Sequence, residues 1–151
     1  MVYTIGYEGV NIDVFVDYLA RNNIKALIDV RMNPISRKPG FSKTRLTEAL
    51  ESRGICYVPM KEFGCPKAVR DQYRLDSDWS KYTKNYNEHM KLNLQDSLVM
   101  LASLVKKESA ALMCFEKDSD LCHRSLVTNS LENQFKIPVK HLKPTKALAA
   151  L

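Results

Sequence analysis

No run in this sequence approaches the roughly 20 consecutive apolar residues that a membrane-spanning helix requires. Closely paired cysteines are missing too. Cys56, Cys65, Cys114 and Cys122 stand far apart or in unpatterned order, so neither a zinc ribbon nor the disulfide framework of a small secreted domain is implied. There is no Walker loop, no Gly-x-Gly-x-x-Gly and no Gly-x-Ser-x-Gly, which removes the commonest nucleotide-cradling and serine-hydrolase signatures. Internal repeats and low-complexity segments are absent. Met1 is not followed by a basic segment, and Val2–Tyr7 reads as a first strand rather than a secretory signal. The expectation is a cytoplasmic protein with reduced thiols, no membrane partner, no cofactor and no bound metal.

What remains is ordinary for a globular chain. The 151 residues are 45% hydrophobic and 26% charged, enough for a substantial core in a single domain. Net charge is +6 and unevenly spread. Between Arg31 and Arg53 lie Arg37, Lys38, Lys43 and Arg45, with only Glu48 and Glu51 against them. After Glu132 come Lys136, Lys140, Lys143 and Lys146 with no acid. Such patches suit an anionic partner, a nucleotide or nucleic acid. The plainer alternative is a surface that keeps the protein soluble.

Strand and helix patterns alternate. Val2–Gly6 is a strand, and Asn11 caps a helix to about residue 22 whose Ile12, Phe15, Val16 and Leu19 share a face. Lys25–Val30 is the next strand, parallel to the first by the βαβ rule. The proline-bearing loop 32–41 leads to a basic helix from Ser42 to Arg53, stopped by Gly54. Ile55–Val58 is a third strand. Helix is predicted over 67–91, broken near 75–78, and again over 93–107. Ala110–Phe115 is a buried strand, followed by a charged loop in which Asp120 caps a helix carrying Leu126, Val127 and Leu131. A last strand spans Val139–Leu142. The fold expected is α/β: one three-layer domain with a mainly parallel sheet of about five strands and helices on both faces. Its core covers residues 2–142, with 143–151 as a tail.

Parallel strands bring their carboxyl ends to one edge, where open α/β folds bind ligands. The chemistry gathers there. Tyr7 follows the first strand, Asp29 and Arg31 end the second, and Cys114 and Glu116 end the fourth, with Cys122, His123 and Arg124 just beyond. Cys122 in a first helical turn would be a stabilised thiolate and nucleophile, or a cysteine packing under a loop. Arg31, Arg37 and Arg124, with Ser36, would hold phosphate. Glu116 or Asp29 would move a proton, Glu116 with a pKa raised by burial, or each would pair with an arginine as a structural bridge. His123 would assist the nucleophile or line the site, and Tyr7 and Cys114 would contact substrate. Trp79, Tyr82, Tyr86 and His89 fall on one helical face, either core or a base-stacking surface. A zinc site from Cys114, Cys122, His123 and Cys65 is the outlying alternative.

The motifs Thr4-Ile5-Gly6-Tyr7, Asp29-Val30-Arg31 with Pro34, Ser36-Arg37 and Phe41, Cys114-Phe115-Glu116, and Cys122-His123-Arg124 resemble those of the prokaryotic family called domain of unknown function 488. The likeness runs from residue 2 to about 142. That family carries histidine where Tyr7 stands and a second glycine where Cys65 stands, so no imidazole role transfers to residue 7. The resemblance implies a fold and motif positions, and no reaction. Ile28-Asp29-Val30-Arg31 also resembles a rhodanese strand. A rhodanese cysteine, however, opens a glycine-bearing cradle, and Cys122 runs straight into a helix, which disfavours sulfur transfer. Two readings follow: an enzyme, a hydrolase or transferase acting on a nucleotide or nucleic acid, and a non-catalytic module that binds one. Self-association as a homodimer is a further partner reading.

Overall fold

Short apolar runs in this chain become strands wherever a turn stops them, and amphipathic runs between them become helices. In the computed structural model, which describes residues 1–144, strand β1 spans Val2–Gly6, β2 Ala26–Asp29, β3 Cys56–Pro59, β4 Ala110–Cys114 and β5 Val139–His141. Helices α1 (Ile12–Arg21), α2 (Lys43–Glu51), α3 (Lys67–Asp76), α4 (Trp79–Asn93), α5 (Gln95–Lys107) and α6 (His123–Phe135) fill the connections. All strand pairings are parallel, in the order β3-β2-β4-β1-β5.

With that order, crossover handedness decides which face each helix takes. From β1 through β2 to β3 the chain moves one way across the sheet, with α1 and α2 on one face. From β3 through β4 to β5 it moves the other way, with α3 to α6 on the opposite face. Right-handed crossovers demand that exchange of faces. Residues alternate along the central strands accordingly. Leu27, Ala111 and Met113 pack with Phe15, Leu19, Leu46 and Leu50 of α1 and α2. Ala26, Ile28, Leu112 and Cys114 pack with Tyr86, Leu98, Leu101 and Val127 of α4, α5 and α6. Both faces are covered, so the strands are apolar throughout rather than alternating.

Helix ends show where local signals hold. Asn11 accepts a hydrogen bond from the Val14 amide at 2.9 Å, capping α1 as its sequence predicts. Asp78 caps α4 in the same way through the Lys81 amide at 3.1 Å. The break before α4 is a left-handed Ser77 with φ +50°. Two caps differ from expectation. Ser42 occupies the cap position of α2, but its hydroxyl donates to the Ser36 carbonyl at 3.2 Å and accepts from the Ser36 amide at 2.9 Å. Asp120 is no cap. Asp118 caps a 3-10 turn over Ser119–Leu121, and α6 begins only at His123 with Cys122 itself as its N-cap. The predicted tail lies from residue 145 onward outside the described residues.

Among the described residues no helix is long and apolar enough to cross a membrane.

Candidate functional site

The chain turns opposite ways after β2 and after β4, which are neighbours in the sheet. A crevice opens between such strands at their carboxyl ends. Here it is a cleft of about 260 Å³. Arg31, Met32 and Asn33 line it after β2, and Cys114, Phe115 and Glu116 after β4. Leu121 of the 3-10 turn, and Cys122 and His123 at the start of α6, close it. Cys65 before α3, Arg70 and Tyr73 of α3, and Trp79 and Tyr82 of α4 form the facing wall.

Two close backbone approaches shape this edge. A Cβ at Gly6 would overlap the Glu116 carbonyl, so a glycine there lets the loop after β4 lie directly on the end of β1. A Cβ at Gly64 would meet the Met32 backbone at 2.7 Å, so the segment after β3 presses against the start of the 32–41 loop.

On the β2 side of the cleft, Arg31 is bound to Asp29 behind it. Asp29 is 1% exposed and accepts from Arg31 Nε at 2.9 Å, from Arg31 Nη2 at 2.8 Å and from the Tyr57 hydroxyl at 2.7 Å. Arg31 Nη1 donates to the Phe41 carbonyl at 2.7 Å and to the Tyr7 hydroxyl at 3.2 Å. Burial opposes the Arg31 charge, yet the hydrogen bonds and field of Asp29 and Tyr7 outweigh it and hold its pKa above the ordinary value. Burial, then the Asp29 carboxylate, push the Tyr57 phenol up. Tyr7 is itself buried, stacked on Phe41 with centroids 4.5 Å apart. These groups are engaged with one another, so Asp29 and Arg31 form a structural ion pair, the alternative expected for Asp29, and Arg31 also lines the cleft.

On the β4 side the bonding is less complete. Arg124 is fully buried and donates through Nη1 to the Glu116 carbonyl at 2.6 Å and to Cys114 Sγ at 3.0 Å, and through Nη2 to the Lys117 carbonyl at 3.4 Å. Its Nε has no partner, and among the described residues no carboxylate pairs with it. Burial lowers its pKa to about 10, with Glu116 and Asp118 opposing the fall. This arginine too is turned inward, where it braces the loop after β4. Cys114 and Cys122 are joined as a disulfide. The expectation of four thiols therefore holds only for Cys56 and Cys65.

His123 Nε2 lies 2.9 Å from the Val30 carbonyl. A carbonyl only accepts, so Nε2 carries the proton and Nδ1 keeps its lone pair, 3.9 Å from Cys122 Sγ. Burial, with Arg124 adding, holds the imidazole pKa below its usual value against the opposing Val30 carbonyl and Glu116. Glu116 is half-buried rather than buried, with Oε2 3.1 Å from Cys114 Sγ. Sulfurs and carboxylate lie within 4.8 Å of one another. While the sulfurs are joined neither is a thiolate ligand; reduced, the same three groups could hold a metal ion.

The opposite wall is aromatic. Trp79 and Tyr82 are stacked at 4.5 Å and 16°, and Tyr73 meets both edge-on. Tyr82 is buried, and burial with Cys65 pushes its phenol up. Tyr86, deeper still, packs on His123 and donates to the Phe63 carbonyl. So the predicted stripe divides: its inner part is core, and Trp79 reaches the cleft.

Of the residues predicted from sequence, Glu116, Cys114, Cys122, His123 and Arg31 meet at one cleft, while Asp29, Tyr7 and Arg124 stand behind it. Ser36 and Arg37 do not line it. Ser36 is occupied within its own loop, with Oγ accepting from the Lys38 amide at 3.1 Å, and Arg37 is exposed. Sequence reasoning overlooked Arg70, half-buried in the cleft wall with Nε unpartnered. Its only local signal was its place three residues before Tyr73 on the face that Val69 and Tyr73 turn to the core.

Among curated proteins and solved structures nothing matches this chain. A family model described as Domain of unknown function DUF488 matches residues 11–131, a range that contains the Asp29–Arg31, Cys114–Glu116 and Cys122–Arg124 motifs, and the chain belongs to that family.

Proposed function

We propose that the cleft between β2 and β4 is the active site of an enzyme acting on a nucleotide or a nucleic acid, a hydrolase or transferase. The observation that carries this reading is the placing of the half-buried Glu116 carboxylate opposite the stacked Trp79–Tyr82 wall in one cleft. A flat aromatic wall accepts a nucleobase face in a sequence-tolerant way. A cleft of about 260 Å³ admits one ring-sized group rather than a dinucleotide. Arg70, whose side chain lines that wall, would meet phosphate there, while Arg31 is held by Asp29, Tyr7 and Phe41 and Arg124 is fully buried behind the loop. Glu116 then moves a proton at the bond being broken or stabilises positive charge developing on a ribose. The same reading puts the protein in the cytoplasm.

Trp79 is the only tryptophan in the chain, so its emission reports the cleft directly. Nucleoside monophosphates, diphosphates and short single strands are titrated against it, and products are followed by chromatography. The expected result is quenching by at least one of these, with turnover that Glu116→Gln lowers about 100-fold or more while binding persists. That substitution, half-exposed and isosteric, should leave stability within about 0.5 kcal/mol. Quenching with no turnover by the wild type would favour a binding module. No quenching by any of them sinks both.

A further inference from the structure

We propose that Cys114 and Cys122 are a redox couple that exchanges with small disulfides and thiols entering the cleft, with Arg124 as counter-ion to the reduced pair. The proposal stands apart from the nucleotide reading and needs no nucleotide.

The first observation is the unpaired charge of Arg124. This guanidinium is fully buried, meets two backbone carbonyls, leaves Nε unpartnered and faces no carboxylate partner among the described residues. A buried cation of that kind lacks the anion that burial ordinarily requires. The one side-chain atom its Nη1 touches is Cys114 Sγ, at 3.0 Å. A disulfide sulfur gives that charge nothing. A Cys114 thiolate gives it an ion pair. Arg124 thus favours the dithiol, against the Glu116 carboxylate whose Oε2 lies 3.1 Å from the same sulfur. Because the guanidinium is the more deeply buried charge, the disulfide is easier to reduce than a structural one.

The second observation lies on the partner sulfur. Cys122 is the N-cap of the 13-residue α6, and its side chain makes no capping bond. A thiolate there would face unpaired amides of the first helical turn. His123 Nδ1, its lone pair kept free by the Nε2 bond to Val30, stands 3.9 Å from that sulfur as a base. Both sulfurs also line the cleft, so a small reactant reaches them without unfolding.

The steps balance. Cys122 gives its proton to His123 Nδ1 and attacks one sulfur of a substrate disulfide. That S–S bond breaks, a mixed disulfide forms on Cys122, and the leaving thiolate takes the proton from His123. Cys114 thiolate then attacks the Cys122 sulfur, the protein disulfide forms, and the second substrate thiolate leaves and is protonated by water. The substrate gains two electrons and the protein loses two. An external low-molecular-weight thiol reverses the sequence.

The test uses the full chain without nucleotide, equilibrated in glutathione buffers, acid-trapped, alkylated and mapped by peptide mass, with exposed Cys56 as the thiol that remains alkylated. The linked fraction should pass from nine-tenths to one-tenth over about a hundredfold change in the ratio of oxidised to squared reduced glutathione. Cys114→Ser should trap a glutathionyl group on Cys122 at least tenfold more than Cys122→Ser traps one on Cys114. Arg124→Gln should move the midpoint at least tenfold towards the disulfide, and Arg124→Lys much less. If the arginine variants fail to fold, the wild-type titration and the serine pair decide. Three results overturn the proposal: both cysteines alkylated in every buffer, a linkage that reduced glutathione never opens, or a stoichiometric metal ion holding both sulfurs in protein purified without chelator. Equal trapping in the two serine variants overturns the assigned order of attack.

Discussion

Arg31 and Arg124 stand behind the same edge of one sheet, one at the end of β2 and one at the start of α6, and both are buried. Arg31 has a carboxylate gripped by two nitrogens, a phenol and a carbonyl. Arg124 has two carbonyls, a sulfur and an idle nitrogen. Satisfied buried charge is structure. Buried charge left short of an anion is costly to the fold unless a neighbour can supply one. The same residue type behind one sheet edge therefore meets two different environments, and the difference lies in which acceptors the neighbouring segments bring.

The largest effect expected from this contrast is on the β2 side. Asp29→Ala strands a buried guanidinium and should cost about 3–5 kcal/mol in denaturant unfolding. Replacing Asp29 and Arg31 together by apolar residues should cost clearly less than the two single changes summed, and additivity would mean that the pair is not the unit described. On the β4 side, Arg124→Ala removes two carbonyl partners and leaves a void, about 3 kcal/mol. Its cost should be greater under reducing conditions than oxidising ones if a thiolate is its counter-ion. Equal costs would erase the distinction between the two arginines.

Tyr57→Phe probes the clamp more gently. It removes one donor from a buried carboxylate that keeps Arg31, and about 1.5 kcal/mol is expected. Smallest is the pH response. His123 and His141 are both held below the ordinary imidazole value, chiefly by burial. The unfolded chain therefore takes up protons first. The stability that the neutral imidazoles contribute is whole above about pH 6.5 and is lost as pH falls towards their folded values, at most about 1.4 kcal/mol per pH unit for each proton. Melting temperature against pH should fall below that point, and His123→Gln, which keeps a donor for the Val30 carbonyl, should flatten part of the fall. A curve unchanged by the substitution would remove His123 from the account.

Much of the layout was legible in short-range pattern. Ile12, Phe15, Val16 and Leu19 announce α1, and the break before Asp78 and Trp79 separates α3 from α4. The meeting of Glu116 with Cys122 and His123 at one edge followed from strand alternation. The direction of Arg31 and Arg124 did not. Their acceptors, the Phe41 carbonyl for one and the Glu116 and Lys117 carbonyls for the other, belong to loops whose paths no periodicity encodes. Cys122 as N-cap was missed because Asp120, the stronger capping residue, stands two places earlier, where the chain makes a 3-10 turn instead. Arg70 was missed because the cleft it lines is completed by Glu116, Cys122 and His123, which come from elsewhere in the chain.

By itself the sequence determined which segments are strands and helices, that the sheet is parallel, and that its carboxyl edge carries the reactive side chains. These rest on interactions within a few residues and on the handedness of L-amino acids, and both are written locally. Only the tertiary structure decided that β2 and β4 are neighbours, so that a cleft opens there, and that one arginine is paired and the other is not. Strand order and the partners of buried charge are settled by packing across the whole chain, where residues 29 and 57, or 114 and 124, first meet.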